Sequence, residues 1–164
     1  MSRSEQNLQE AFAGESQANR KYLAFAKKAE EEGYHQTAKL FRAAAAAETV
    51  HAHNHLREMA GIRKTRENLE AALSGEVHEF QDMYPRMIRE AEEENNKNAV
   101  RTFTFANEVE KVHADLFRKA LETLGRETGA AYHVCQVCGH TVEGEPPETC
   151  PVCGAKKQMF QKVD

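Results

Sequence analysis

Two Glu-x-x-His pairs, Glu48–His51 and Glu110–His113, are the residues most suited to chemistry in this sequence. Side chains three residues apart lie on one face of a helix, so the carboxylate and imidazole of each pair can bind one metal ion. A single pair of this kind often occurs by chance. These two pairs, however, lie in matching segments, ETVH and EKVH, of an internal repeat. The repetition indicates a metal site built from both halves of the chain.

The repeat also pairs two further glutamates, Glu15 and Glu76. The segment NLQEAFAGE at 7–15 matches NLEAALSGE at 68–76, and AEEEG at 29–33 matches AEEEN at 91–95. Both glutamates lie among apolar residues, where an unpaired carboxylate is costly, and no lysine or arginine repeats beside them. A duplicated helical hairpin without any site is the alternative, but it does not require these glutamates. Di-iron bundles use one Glu from each of two helices and Glu-x-x-His from the other two. We therefore predict a dinuclear metal site.

The second half of the repeat contains one extra residue between Glu76 and Tyr84, which is equivalent to Tyr22. Helices commonly absorb such an insertion as a π-bulge. Pro85 cannot donate a backbone hydrogen bond, so it is compatible with an interruption of the helical hydrogen bonds at this point. We expect the bulge to direct Glu79 toward the metals as a seventh ligand. Tyr22 and Tyr84 are expected to hydrogen-bond the ligand carboxylates. The alternatives are a surface Glu79 beside a proline kink, and ordinary core tyrosines.

The four cysteines form two knuckles, Cys135-x-x-Cys138 and Cys150-Pro-x-Cys153. Four thiolates at this spacing make a tetrahedral site for iron or zinc. The N-terminus lacks the apolar segment of a signal peptide, which argues against disulfides. Ligand type alone does not distinguish a redox-active iron from a structural zinc ion.

Four long helices must position the carboxylates and histidines. We predict helices at about 4–32, 34–60, 65–95 and 97–124, with Ser4 as the N-cap of the first helix. Gly33, Gly61 and Gly125 mark the ends of the first, second and fourth helices. Short connections between long helices favour antiparallel packing. The predicted fold class is an all-α four-helix bundle, followed by a small metal-knuckle domain. We predict a bundle domain at 1–125, a linker at 126–131 and a four-cysteine domain at 132–164.

Composition excludes several other classes of protein. The net charge of −4 does not indicate the basic surface that nucleic-acid binding requires. No apolar run in the sequence is long enough to span a membrane. We therefore expect a soluble cytoplasmic protein with neither nucleic acid nor membrane as a partner.

The combined pattern, over nearly the whole chain, resembles the rubrerythrin family. The matching residues are Glu15, Glu48, His51, Glu76, Glu79, Glu110, His113 and the four cysteines. The resemblance implies an all-α four-helix ferritin-like bundle followed by a rubredoxin-like domain, and a di-iron peroxidase that reduces hydrogen peroxide to water. It also implies electrons from NAD(P)H, delivered by a partner reductase or rubredoxin and relayed through an FeS4 centre.

The resemblance further implies a role for each ligand. One iron is held by Glu48 and takes Glu79 when oxidised, but shifts to His51 when reduced. Glu110 and His113 serve the other iron, and Glu15 and Glu76 complete the site. A harder ferric ion favours a carboxylate, whereas a ferrous ion accepts a neutral imidazole.

Two other functions remain open from the residues alone. One is a ferroxidase or iron-storage protein, and the other is a sensor or binding protein with a structural zinc knuckle. The helix beyond His113 rises by roughly 16 Å before the linker begins. We therefore expect the cysteine domain to lie far from the metal site of its own chain. A homodimer, head-to-tail or domain-swapped, would bring the two kinds of centre together.

Overall fold

The computed structural model describes residues 2–126 and 129–163, which are mostly helical. The chain forms two compact units, Met1–Arg63 and Lys64–Asp164. Across the described ranges, no helix combines the length and apolar character needed to cross a membrane.

The first unit is a pair of packed helices, α1 (Arg3–Glu31) and α2 (His35–Glu58). The predicted N-cap at Ser4 is wrong, because Ser2 caps α1. The Ser2 hydroxyl accepts from the Glu5 backbone N–H at 3.2 Å, and the Glu5 carboxylate accepts from the Ser2 N–H at 2.6 Å. This reciprocal arrangement satisfies two N–H groups that a helix start leaves unpaired.

The end of α2 also differs from the prediction, which placed it at Gly61. The helix ends at Glu58, and Ala60 takes the left-handed conformation with a φ of 52°. Gly61 has a different function here, because a Cβ at this position would overlap the Leu56 side chain. The end of α1 is as predicted, with Gly33 left-handed at a φ of 83°.

Small residues form the core between α1 and α2. Five alanines are buried there: Ala26, Ala29, Ala38, Ala45 and Ala52. Small side chains allow two helices to approach closely. The buried Asn19 side chain joins the helices, because its Nδ2 donates to the Ala45 carbonyl at 2.7 Å and to the Thr49 hydroxyl at 2.8 Å.

The second unit begins with a long helix that contains the predicted bulge. It runs through α3 (Thr65–His78), a π-helical segment (Glu79–Met83) and α4 (Tyr84–Glu93). Asn95, with a φ of 57°, ends this helix. The next helix is α5 (Lys97–Thr123), whose N-cap Asn96 accepts from the Ala99 N–H at 3.1 Å. Both α3 and α4 pack against α5.

A three-stranded antiparallel sheet completes the second unit. Its strands are β1 (Tyr132–Cys135), β2 (Thr141–Glu143) and β3 (Phe160–Val163), and β1 is central. The cysteines lie at the end of β1 and in the turns beyond it. The predicted domain division at 1–125, 126–131 and 132–164 stays a prediction, since Glu127 and Thr128 of the linker lie outside the described residues.

Candidate metal centres

The first-half cluster consists of Glu15 from α1 with Glu48 and His51 from α2. One ligand atom from each side chain lies within 4.8 Å of the others. The His51 Nδ1 is 2.9 Å from the Glu48 Oε2, as the i, i+3 spacing on a helix predicts. The Glu48 side chain is only 17% exposed, whereas that of His51 is 54% exposed. These three groups can share one cation.

The second-half cluster consists of Glu76 from α3 with Glu110 and His113 from α5, and it meets the same distance limit. The His113 Nδ1 lies 2.8 Å from the Glu110 Oε2 and 3.8 Å from the Glu76 Oε1. All three side chains are half-buried. The same three residue types therefore meet in each half of the repeat.

The carboxyl groups of the second-half cluster ionise with difficulty when no metal is bound. Burial, and then the charge of Glu110, raise the pKa of Glu76 to about 7. Burial also raises the pKa of Glu110, and the nearby charge of Glu79 adds to the effect. Like charges brought together away from water need a proton or a cation to offset them. The electrostatics of the cluster therefore favour a bound metal ion.

The imidazole of His113 is oriented by a residue from the cysteine module. Its Nε2 lies 2.9 Å from the Thr141 hydroxyl, and this hydroxyl donates its own hydrogen to the Gly139 carbonyl at 3.1 Å. Thr141 must therefore accept from the Nε2–H of His113. The Nδ1, which faces Glu110, is then the atom available to a metal.

This contact corrects the predicted separation between His113 and the cysteine domain of its own chain. Thr141 contacts His113. Further along α5, the Lys119 Nζ lies 2.5 Å from the Glu143 Oε2 of β2. The prediction assumed that the chain continues outward beyond α5. Instead Gly125, with a left-handed φ of 83°, ends the helix, and β2 lies against α5.

The four cysteines lie together as a tetrahedral metal site requires. The sulfurs of Cys135 and Cys153 are 3.7 Å apart, and those of Cys138 and Cys150 are 3.6 Å apart. Metal–sulfur bonds of about 2.3 Å in a tetrahedron place the sulfurs about 3.8 Å apart. A disulfide needs about 2.0 Å, and all four cysteines are free. The donor set fits iron or zinc.

The two knuckles repeat one backbone pattern. The Gly139 N–H donates to the Cys135 carbonyl at 2.8 Å, and the Gly154 N–H donates to the Cys150 carbonyl at 2.9 Å. Both glycines are left-handed, with φ of 86° and 76°. Glycine at these positions lets each turn bring its two cysteines toward one ion.

Comparison with known proteins identifies both parts of the chain. The Rubrerythrin family model matches residues 6–121, and the model described as "Rubrerythrin, rubredoxin-like domain" matches residues 133–161. The chain belongs to the Rubrerythrin family. Its membership confirms the predicted resemblance and the fold class, a four-helix ferritin-like part followed by a rubredoxin-like part.

Individual relatives cover nearly the whole chain. Nigerythrin of Nitratidesulfovibrio vulgaris is 39% identical over 94% of this chain and 84% of its own length. Rubrerythrin-2 of Clostridium acetobutylicum is 37% identical over 94% of this chain and 93% of its own. A solved structure of mixed-valent nigerythrin matches with a TM-score of 0.59 and 37% identity, over 99% of this chain and 88% of that one. With the clusters above, these matches confirm the predicted cofactors, a di-iron carboxylate site and a four-cysteine metal site.

Six of the seven predicted di-iron ligands fall into the two clusters, and Glu79 does not join either one. It lies at the start of the π-helical segment, close enough for its charge to raise the pKa values of Glu76 and Glu110. Its role as a ligand stays a prediction.

The predicted hydrogen bonds from Tyr22 and Tyr84 to the carboxylates also stay predictions. Within the described part of the chain, neither hydroxyl bonds a ligand carboxylate. Tyr84 is nevertheless close to the second-half cluster. Burial raises the pKa of its hydroxyl, and the charges of Glu110, Glu79 and Glu76 raise it further. The Tyr22 ring packs against Phe25 and Phe41.

Sequence reasoning did not find Thr141. It has no counterpart in the repeat, and its contact with His113 depends on how the chain turns after α5. Its position three residues after Cys138, at the start of β2, is the one signal that the sequence offered.

Proposed function

We propose that this protein is a non-haem di-iron peroxidase that reduces hydrogen peroxide to water. The reaction consumes two electrons and two protons for each peroxide and gives two waters. One observation carries the proposal: a four-cysteine site suited to one-electron chemistry lies in the module whose Thr141 hydrogen-bonds His113 of a carboxylate–histidine cluster. An iron-storage protein has no need of such a connection.

Each group of side chains has a separate role in the proposed reaction. Glu15, Glu48, His51, Glu76, Glu110 and His113 hold the metals, and Glu79 is the seventh ligand. Two iron ions held there would supply one electron each, which matches the two electrons that peroxide reduction consumes. The low exposure of Glu48 and Glu110, 17% and 15%, limits the competition of water for these carboxylates. Tyr22 and Tyr84 orient the carboxylates.

The four-cysteine site holds iron in this proposal and relays electrons to the di-iron site. The electrons come from NAD(P)H through a partner reductase or a rubredoxin. Burial raises the pKa of the Cys138 thiol, so a metal cation is needed to hold it as a thiolate. A zinc ion would fit the same four thiolates but would carry no electrons.

We infer a cytoplasmic homodimer, with the domain division at 1–125, 126–131 and 132–164. The first unit exposes the large apolar side chains of Leu40 and Val50, at 66% and 57%. A pair of helices must bury its apolar side chains against another element, and a second copy of the chain would cover these two. Analytical ultracentrifugation tests this inference by measuring the mass of the protein in solution. We expect twice the mass of one chain. Covalent crosslinking would then distinguish a head-to-tail dimer from a domain-swapped one.

A steady-state assay tests the proposed activity. Iron-loaded protein is supplied with NADH, a rubredoxin and a rubredoxin reductase, and peroxide consumption is followed under anaerobic conditions. We expect NADH and peroxide to be consumed one for one. Cys138→Ser should abolish turnover. Glu79→Ala should slow turnover by about 10-fold or more, as is typical when a group that supports a metal site is lost.

Asp82→Ala is the matched control, because Asp82 lies in the same π-helical segment with its side chain 72% exposed. It should leave turnover unchanged. Rapid oxidation of added ferrous iron by dioxygen, with no peroxide turnover, would support the storage function instead and contradict the proposal.

A further inference from the structure

A continuous set of hydrogen bonds joins the second-half cluster to the first cysteine knuckle. The His113 Nε2 donates to the Thr141 hydroxyl at 2.9 Å, and this hydroxyl donates to the Gly139 carbonyl at 3.1 Å. The Gly139 N–H in turn donates to the Cys135 carbonyl at 2.8 Å, and Gly139 directly follows Cys138. Every residue in this connection belongs to the same chain.

Packing fixes the Thr141 hydroxyl in place independently of this hydrogen bond. Thr141 is the first residue of β2 and pairs with Val134 of β1. Its branched side chain has few rotamers. The neighbouring Gly139 lies against α5, where a Cβ on Gly139 would be 3.8 Å from the Cγ1 of the buried Val109. Val109 is one helical turn before His113, so the knuckle and the histidine rest on one stretch of helix.

We propose that Thr141 is a positioning residue for the di-iron site. By accepting from Nε2, it fixes the tautomer of His113 and leaves the Nδ1 lone pair facing the metal beside Glu110. Metal-bound histidines commonly donate their other N–H to such a partner, and loss of the partner weakens metal binding or activity by about 10–100-fold. The same hydroxyl provides the route by which electrons pass from the four-cysteine site to His113 within one chain. The second of these roles rests on the proposed function, whereas the first needs only that the cluster binds a metal.

A neutral hydroxyl suits this position better than a carboxylate would. A carboxylate on Nε2 would add a negative charge close to Glu76 and Glu110, whose ligand atoms already lie within 4.8 Å of each other and of a His113 ring nitrogen. The hydroxyl orients the ring without adding charge. It therefore leaves the negative charge of the cluster as the two carboxylates set it.

The test compares Thr141→Val, which keeps the shape but removes the hydroxyl, with Thr141→Ser, which restores it. Thr123→Val is the matched control, since its hydroxyl bonds only the Lys119 carbonyl of its own helix at the exposed end of α5. In each protein the four-cysteine site is first filled with iron, whose visible spectrum reports that the module is folded. Cobalt(II) is then titrated into the carboxylate–histidine site against a competing chelator.

We expect Thr141→Val to weaken the binding of one cobalt ion by about 10–100-fold, with an unchanged iron–thiolate spectrum. Thr141→Ser and Thr123→Val should bind like the unaltered protein. With iron in both sites, the rate at which peroxide reoxidises the thiolate-bound iron should fall in Thr141→Val and recover in Thr141→Ser.

The outcomes separate the two claims. If Thr141→Val binds cobalt and reoxidises like the unaltered protein, Thr141 has no positioning role, and the peroxidase proposal stands. If Thr141→Val loses cobalt affinity but peroxide has no effect on any of the proteins, the positioning role is supported and the peroxidase proposal fails.

Discussion

The backbone N–H of Tyr84 donates to the carbonyl of Glu79, five residues earlier, instead of to the residue four earlier. This π-type hydrogen bond absorbs the extra residue of the second half. It also places Glu79, which has no acidic equivalent in the first half, beside Glu76 and Glu110. The position of Glu79 can be tested without any metal, through its effect on the neighbouring carboxyl groups.

Glu79→Gln should lower the pKa of Glu76 below its value of about 7 in the metal-free protein. The negative charge of Glu79 is one of the causes that raise this pKa, after burial and the charge of Glu110. The pKa of Glu110 should fall as well. Carbon-13 NMR of the side-chain carboxyl groups measures both values during a pH titration. Asp82→Asn, in the same segment but highly exposed, should change neither. Equal shifts in both variants would contradict the position of Glu79.

The stability of the metal-free protein should fall as pH rises from 4.5 to about 7. The pKa of Glu76 is raised from 4.5 in the unfolded chain to about 7 in the folded one, so the folded state binds more protons in this interval. Stability falls with pH wherever the folded state binds more protons. Glu76→Gln, which cannot ionise, should reduce this slope. Chemical denaturation across the interval measures it, and an unchanged slope in Glu76→Gln would rule out Glu76 as the cause.

Removal of the metal from the four-cysteine site should unfold the sheet of β1, β2 and β3 while the helices remain. The sheet is short, and fully buried side chains in this part of the chain include Cys135 and Cys150, two of the four candidate metal ligands. Small metal modules of this type depend on the ion for folding. Hydrogen exchange should show loss of protection at Val134 and Thr141, with α1 and α2 unaffected. Continued protection of both residues after complete metal removal would show that the sheet is stable without the ion.

Asn19→Ala should destabilise the pair α1 and α2 by about 1–3 kcal/mol. The change removes one buried and one partly buried hydrogen bond and leaves their partners less well satisfied. Asn54→Ala is the control, since Asn54 is exposed on α2 and bonds only Arg57. Chemical denaturation of both variants and of the unaltered protein measures the loss in the free energy of unfolding. A loss no greater than that of Asn54→Ala would show that Asn19 contributes little.

Residues that repeat along the chain could be predicted from the sequence, since their chemistry and spacing are visible there. The six clustered ligands and the π-helical segment are of this type, because the repeat both pairs the ligands and reveals the extra residue before Tyr84. Ser2 could also have been found. Ser2 and Glu5 satisfy the Ser-x-x-Glu capping pattern, whereas Ser4 is followed three residues later by Asn7.

Contacts that depend on where the chain reverses its direction could not be predicted from residue type and spacing. The packing of β2 on α5 follows from the turn at Gly125, and a turn of this kind gives no periodic signal. Helical rise alone therefore placed the cysteine module too far from His113. Thr141 was missed for the same reason, because its importance comes from what it touches and not from its residue type or spacing.

A single-turnover experiment tests most directly whether the four-cysteine site delivers electrons for peroxide reduction. Iron-loaded protein is fully reduced without oxygen, mixed with measured amounts of peroxide, and followed through the ferric–thiolate colour of that site. The account predicts a rapid return of this colour at near-stoichiometric peroxide, and a slower return in Glu79→Ala but not in Asp82→Ala. A four-cysteine site that holds zinc even after expression in iron-rich medium, or an iron site that stays reduced while peroxide is consumed, would contradict it.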